Sequence, residues 1–342
     1  MPLVKHPTWD IYDSTKLIEY VSCPRKYMFE FIFGWRPDTI DVHRHFGTCW
    51  HLCQEHLLWH GLGDESREAA WEILNAKYRE KFMEATDMER SPKTPGHAKL
   101  ALAMYCKEYR HKDHFEVLYT EIAGAVPISP TQVMHFKIDS IIRDKDNNGL
   151  IKSLEHKTGN QNSKQWRDKW KLSIQTGTYN HVLYCAFPEN EVWGVEINGA
   201  IFTKGKIAEF PRVPCRRSPQ MMDVWLHSVN KIINEVERET LKIIDCKEED
   251  PVLEAFEPTY QGCSSYSGCE YFDLCLTNPN PLRRYDEVPE GFKVEYWDPS
   301  KQEARNQIEL TEDGIHLKKG EENGKTNSDE SDVRVGEQSS PG

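Results

Sequence analysis

Two strand-like segments and the turn between them constrain this chain more than any other part of it. Residues 133-143 (VMHFKIDSIIR) and 150-157 (LIKSLEHK) are rich in Ile, Val and Phe, and the turn-forming run Asp144-Lys145-Asp146-Asn147-Asn148-Gly149 separates them. The pattern predicts a β-hairpin. With Asn147-Asn148-Gly149 as a three-residue loop and Gly149 left-handed, Asp146 faces Leu150, Ile141 faces Glu155 and Asp139 faces Lys157. Side chains two apart share a face, so Glu155 and Lys157 point together and His156 points away. Asp139 then joins them, with its α-carbon roughly 7-8 Å from that of Glu155, a span that one hydrated Mg²⁺ or Mn²⁺ bridges. A one-residue slip would send Asp139 to the other face, so this reading requires an odd loop.

Taken alone, a Glu-x-Lys strand is more often a solvated ion pair than a site. A buried carboxylate pair is costly without a cation, whereas a solvated one costs little. Other segments, in a fixed order along the chain, point further. Residues 13-36 (DSTKLIEYVSCPRKYMFEFIFGWR) carry Ser14, Cys23, Pro24, Arg25, Lys26 and Tyr27; Gly47-Thr48-Cys49-Trp50-His51 follows; Glu121 lies in the strand-like TEIAGAVPI; Gln175-Thr176-Gly177-Thr178-Tyr179 comes after the hairpin; and Cys263, Cys269 and Cys275 close the series.

In this order of motifs, from about residue 13 to about residue 278, the chain resembles the PD-(D/E)XK nuclease superfamily. Within it the motifs resemble the RecB-like branch, which includes AddB-type and CRISPR-associated iron-sulfur exonucleases. The resemblance implies an α/β, restriction-endonuclease-like core: a mixed β-sheet flanked by helices, with a helical insertion and a cysteine-ligated cluster joining the N- and C-terminal parts. It assigns Asp139, Glu155 and His51, with the backbone carbonyl of His156, to one or two Mg²⁺ or Mn²⁺ ions. Lys157 would orient or deprotonate the attacking water or stabilise the transition state. Gln175 and Tyr179, one helical turn apart, would touch that lysine or the DNA backbone. Glu121 is expected as a supporting rather than a primary ligand.

The ten cysteines carry a separate argument. The N-terminus MPLVKHPTWD is polar, not a signal peptide, and no apolar run approaches a membrane span, so a cytoplasmic setting is expected and disulfides are not the default. Cys49, Cys53, Cys106, Cys185, Cys215 and Cys246 are isolated or on apolar stretches and read as buried structural thiols. The segment Cys263-x5-Cys269-x5-Cys275 is loop-like and close-spaced, and Cys23 is the fourth ligand that the resemblance supplies. Four thiolates suit a 4Fe-4S cluster, with zinc as the alternative. The usual Cys-x2-Cys pair of zinc sites is absent, and the first spacing also departs from the Cys-x2-Cys-x5-Cys of the iron-sulfur nucleases.

The organisation expected is N-terminal helices over residues 1-60, a helical insertion over 61-114, the nuclease core with its cysteine segment over 115-298, and a disordered, Glu/Lys/Ser/Asn-rich tail over 299-342. Strands are expected at about 115-128, 133-143, 150-157 and 191-204, and helices at about 165-185 and 218-244. The net charge of -12 argues against a passive nucleic-acid binder, although residues 300-342, with 6 basic against 10 acidic side chains, supply -4 of it. Trp166 and Trp170, interleaved with cations, read as core residues rather than a strand-binding channel, and Arg212, Arg216 and Arg217 as a solvated face.

Two functions follow. The first is a metal-dependent DNA exonuclease acting on single strands or DNA ends in recombination, repair or adaptation-like processing. The second is a non-catalytic iron-sulfur DNA-binding or scaffold subunit. No Gly-x4-Gly-Lys phosphate loop is present, so a helicase, recombinase or integrase partner would supply any unwinding.

Overall fold

A computed structural model of the chain describes residues 3-205, 208-263, 268-302, 304-311 and 314-317. Its strands are β1 (Tyr12–Asp13), β2 (Trp35–Pro37), β3 (Phe115–Pro127), β4 (Val133–Asp144), β5 (Leu150–Gly159), β6 (Val192–Ile201), β7 (Arg212–Cys215), β8 (Phe292–Val294), β9 (Asn306–Thr311) and β10 (Gly314–Leu317). The α-helices are α1 (Ser14–Ser22), α2 (Pro24–Tyr27), α3 (Val42–His60), α4 (Asp64–Arg79), α5 (Asp87–Arg90), α6 (Pro95–Tyr109), α7 (Lys164–Lys171), α8 (Ile174–Ala186), α9 (Pro219–Asp245) and α10 (Phe272–Thr277). The main sheet runs β10-β9-β3-β4-β5-β6-β7, with β1 alongside β4 in parallel. Pairing is parallel at β3/β9 and β5/β6 and antiparallel elsewhere along this path. This is the mixed sheet flanked by helices that the motifs implied.

Local chemistry explains the elements. Helix α9 starts at the Ser218 cap with Pro219 in its first turn, and its buried Met222, Trp225, Val229, Ile233, Val236, Thr240 and Ile243 recur every three to four residues in one stripe. That stripe packs against α1 and α8, and α8 lies across β4, β5 and β6. A second core joins α3, α4 and α6 through Trp50, Leu74, Tyr78 and Leu102, and meets the sheet's edge at Ala200, Phe202 and Phe210. The expected helix over 165-185 is two helices, broken at Leu172 and Ser173, where Ser173 caps α8 by accepting from the Thr176 N–H.

The hairpin forms, but in a different register. Asp144 pairs with Leu150 and Ile141 with Ser153, so the connection is five residues long rather than three. The two extra residues are absorbed because the Asp144 side chain accepts from the Asp146 N–H at 3.0 Å and from the Asn147 amide at 2.7 Å, building a short helical turn. Asn148 (φ 55°) and Gly149 (φ 74°) then turn the chain back through the left-handed region. The loop remains odd, and continuing the observed count places Asp139 level with Glu155, not with Lys157.

The tail expected from residue 299 begins too early. β9 pairs with β3 (Ile122 with Asn306, Ala123 with Gln307), and Ile308 is buried. The alternation Ile308-Glu309-Leu310 is a strand signal that the surrounding charge composition hides. Residues 318-342, the rest of that expectation, lie outside the described residues.

Trp166 is core, as read: it is 8% exposed and fills the space above Gly159 and Gly199, where an added Cβ would stand 2.7 and 2.6 Å from its ring. The arginines are not a solvated face, except Arg216. Arg212 is half-buried between Asp113 at 2.9 Å and Glu196 at 3.5 Å, and Arg217 donates to the Ser173 carbonyl at 2.7 Å. Cys49, Cys53, Cys106 and Cys215 are buried as expected, Cys246 is half-buried, and Cys185 is exposed.

Gly177 makes a testable point of contact between α8 and α9. A Cβ there would lie 2.1 Å from the Trp225 indole nitrogen and 2.7 Å from Arg217. Gly177→Ala is expected to destabilise the protein by about 1-3 kcal/mol through overpacking, measured by urea unfolding. An unchanged unfolding midpoint would contradict this packing.

Candidate active site

The site is built where β4 and β5 part. Their ladder ends at Ile141 with Ser153, and the earlier half of β4 runs beside β1 instead, with Tyr12 level with Met134 and Asp13 with His135. Beyond the fork, side chains take over the ladder's work. The Ser140 hydroxyl donates to the Leu154 carbonyl at 2.8 Å, and Asp139 Oδ2 accepts from the His156 backbone N–H at 2.8 Å. Buried backbone groups must be satisfied, and here the residues of the site satisfy them.

Asp139 Oδ1 lies 3.2 Å from His51 Nδ1 on α3. Glu121, on β3, reaches the same place, and one ligand atom from each of His51, Glu121 and Asp139 lies within 4.8 Å of the others. Glu121 has a φ of 46°, a left-handed backbone in mid-strand, and its carbonyl accepts from the Arg305 N–H at 2.8 Å. Sequence reasoning placed Glu121 second to His51 and Glu155, whereas the geometry sets it in the convergent trio. Its carboxylate is held by Lys137 at 2.6 Å, a partner the sequence did not suggest.

Glu155, 2% exposed, offers two different oxygens. Oε1 accepts from Lys157 Nζ at 2.6 Å and from Gln175 Nε2 at 3.4 Å, while Oε2 is buried with no hydrogen-bond partner. Gln175 also donates to the Tyr179 hydroxyl at 2.9 Å, and that hydroxyl donates to the Lys137 carbonyl at 2.6 Å. Gln175 and Tyr179 therefore hold Glu155 and the approach to Asp139 rather than reaching Lys157. His156 turns the other way: its Nδ1 accepts from Asn198 at 2.9 Å, and its ring packs edge-on to His51.

Electrostatics sharpen the picture. Burial pushes the Asp139 carboxyl up, but His51, with its hydrogen bond, and the charges near His156 and Lys157 outweigh it and hold the group below the usual carboxylate range. Burial raises Glu155, the Asp139 charge adds to it, and Lys157 and His51 only partly offset this, leaving it at about 7. Burial draws Lys157 down, but Glu155 and Asp139 more than restore it, so it stays charged. Burial brings His156 to about 3, so its ring is neutral. An unpartnered buried carboxylate oxygen beside converging carboxylates and an imidazole is a donor set that suits a hard divalent cation. His51, Glu121 and Asp139 fit Mg²⁺ or Mn²⁺, and Glu155, outside that trio, lines the same cleft with its unpartnered oxygen.

These residues line a cleft of about 440 Å³, with Lys157, Gln175 and Tyr179 on one wall. Trp170 lies beside it, with Lys157 Nζ 5.5 Å from its ring centre.

The four cysteines meet at another corner. Burial raises the Cys275 thiol to about 11, Arg25 opposes this, and Cys23, Cys269 and Cys263 add to it, so the other three sulfurs lie near Cys275. Among the described residues no three of them converge within 4.8 Å, whereas thiolates on one zinc ion would stand roughly 3.8 Å apart. What visibly fastens the two ends of the chain here is aromatic. Tyr27 stacks on Phe256, Phe29 stacks on Tyr271, and Arg25 donates to the Phe256 and Leu253 carbonyls.

The fold and the site define a nuclease of the α/β restriction-endonuclease-like class. The PD-(D/E)XK nuclease superfamily model matches residues 14-275, and the chain belongs to that superfamily. None of the curated proteins compared matches it. Two crystal structures are similar at 14% identity. One is of a candidate exonuclease from Eubacterium rectale (TM-score 0.40, covering 79% of this chain and 89% of that one). The other is of SSO0001 (TM-score 0.30, covering 68% and 78%). Neither likeness is close enough to carry functional weight. Among the described residues no helix is long and apolar enough to cross a membrane.

Tyr179→Phe removes a hydroxyl that spans Gln175 and the Lys137 carbonyl. The expected cost is about 1 kcal/mol of stability, read as a lowered Tm. A Tm equal to wild type would show that this bridge does not form.

Proposed function

We propose that the protein is a divalent-metal-dependent DNA exonuclease of the RecB-like branch, acting on single strands or DNA ends. The observation that carries this reading is the buried, unpartnered Glu155 Oε2 beside Asp139, Glu121 and His51, with the Lys157 ammonium 2.6 Å from the other oxygen of Glu155. A retired site would be free to lose such a costly assembly. A cation bound there lowers the pKa of water and neutralises charge on the scissile phosphate. Lys157, charged and facing the cleft, supplies positive charge where the phosphate becomes more negative and can orient the attacking water. Gln175 and Tyr179 keep Glu155 and the Lys137-Asp139 segment in position. The His156 N–H, bound to Asp139 Oδ2, fixes the carboxylate's tilt, and the His156 carbonyl, on the same edge of β5, would be a further ligand to the cation.

End-labelled single- and double-stranded DNA incubated with Mn²⁺ tests this. Wild type is expected to release labelled mononucleotides or short products, and EDTA to stop it. Lys157→Ala is expected to lower the rate by about 10²-fold or more. Equal degradation by both proteins would sink the role of Lys157, and no degradation by wild type would favour a scaffold role beside a helicase, recombinase or integrase that supplies unwinding.

For Cys23, Cys263, Cys269 and Cys275 we infer a 4Fe-4S cluster, with zinc as the alternative, from the grouping of the other three thiols around Cys275. Protein purified without oxygen is expected to be brown and to contain about four irons, as a cluster of this type requires. Colourless, iron-free protein would overturn it.

A further inference from the structure

We propose that the shelf beside the metal residues, built around Trp59, is a stacking subsite for a nucleobase of a single-stranded nucleic acid that passes the scissile phosphate. This rests on the nuclease reading above and adds to it where the strand runs.

Helix α3 presents three directions. Cys49, Trp50, Cys53 and Leu57 are buried, and His51 turns to Asp139. Leu52, Glu55, His56, Trp59 and His60 line a second cavity, of about 500 Å³. Its far wall is Glu121, Lys137 and Arg305, and Glu121 and Lys137 also line the metal cleft, so the two spaces share a wall. A phosphodiester in the cleft therefore has its neighbouring nucleotide at this shelf.

The indole is set for contact. Trp59 is 46% exposed, unusual for a ring of its size. It is nonetheless fixed, because its Nε1–H donates at 2.9 Å to the hydroxyl of Thr120, which is itself fully buried. The Thr120 hydroxyl donates to Glu55 Oε1 at 3.0 Å, and Arg305 Nη1 donates to the same oxygen at 3.1 Å. The ring edge is thus pinned to β3, with the Arg305 guanidinium 5.9 Å from the ring centre on one side and nearly half of the residue left exposed. His56 and His60, which line the same cavity, stack on each other with ring centres 4.4 Å apart. The two cations on the wall are already paired, Lys137 with Glu121 and Arg305 with Glu55, so recognition here is stacking rather than charge. A base has a flat face for such a platform whatever its sequence.

The test uses the full chain and a short fluorescein-labelled thymidine oligonucleotide, with Ca²⁺ in place of Mn²⁺ so that binding is read without cleavage. Trp59→Ala is expected to weaken binding about tenfold, and Trp59→Phe, which keeps a ring, to restore most of it. The fold-change is expected to persist between low and moderate salt, because no phosphate contact is lost. In parallel, hydrolysis of bis(p-nitrophenyl) phosphate with Mn²⁺ probes the metal site alone, since that diester is too small to span both cavities. Trp59→Ala is expected to hydrolyse it at the wild-type rate and to degrade oligonucleotide more slowly. Oligonucleotide binding equal to wild type in Trp59→Ala overturns the subsite, as does failure of Trp59→Phe to restore it in a folded protein. If wild type hydrolyses neither substrate, the nuclease reading fails while the binding comparison still decides the subsite.

Discussion

Two strands that part inside a protein leave buried backbone groups behind, and this chain satisfies them with Asp139 and Ser140. That constraint organises the rest. The carboxylate that accepts from the His156 N–H is thereby held level with Glu155, and the opening created by the fork is where Lys157, Gln175 and Tyr179 gather. Burial then makes the assembly expensive. Asp139, Glu121 and Glu155 line one cleft with little solvent, where His51, Lys137 and Lys157 pair with them. An arrangement in which one carboxylate oxygen still lacks a partner is one that a divalent cation completes.

Much of this was legible in the sequence because strand parity is robust. The three-residue loop was wrong by two residues, yet an odd loop of either length leaves Asp139 and Glu155 in step, so the site survived the error. His51, Gln175 and Tyr179 were found through their motif contexts, and Trp166 through its helical spacing. The roles of Gln175 and Tyr179 were less legible, since which group a side chain reaches depends on how α8 lies over β4 and β5. Glu121 was underrated for a similar reason: its direction is set by a left-handed backbone that no residue preference at that position signals. Trp59 and Arg305 are 246 residues apart in the chain (305 minus 59), and only the pairing of β9 with β3 brings them to one cavity.

The ends of the chain close over the same core. Arg25, Tyr27 and Phe29, which follow Cys23, pack on Leu253, Phe256 and Tyr271, which flank the later cysteines. A long loop closed this way carries an entropic cost that grows only slowly with its length, so aromatic stacking and two buried arginine hydrogen bonds are of the right size to offset it. A cluster among the four thiols would add to this closure rather than create it, which separates the stability of the fold from the chemistry of the cysteines.

The central proposal is that the fork between β4 and β5 is a cation site made by Asp139, Glu121 and His51, with Glu155 lining the same cleft. It is tested most directly by titrating metal-free protein with Mn²⁺ and following the free ion by electron paramagnetic resonance. The account predicts saturable uptake by wild type that is lost in Asp139→Asn. Uptake by Asp139→Asn equal to that of wild type, or none by wild type, would contradict it.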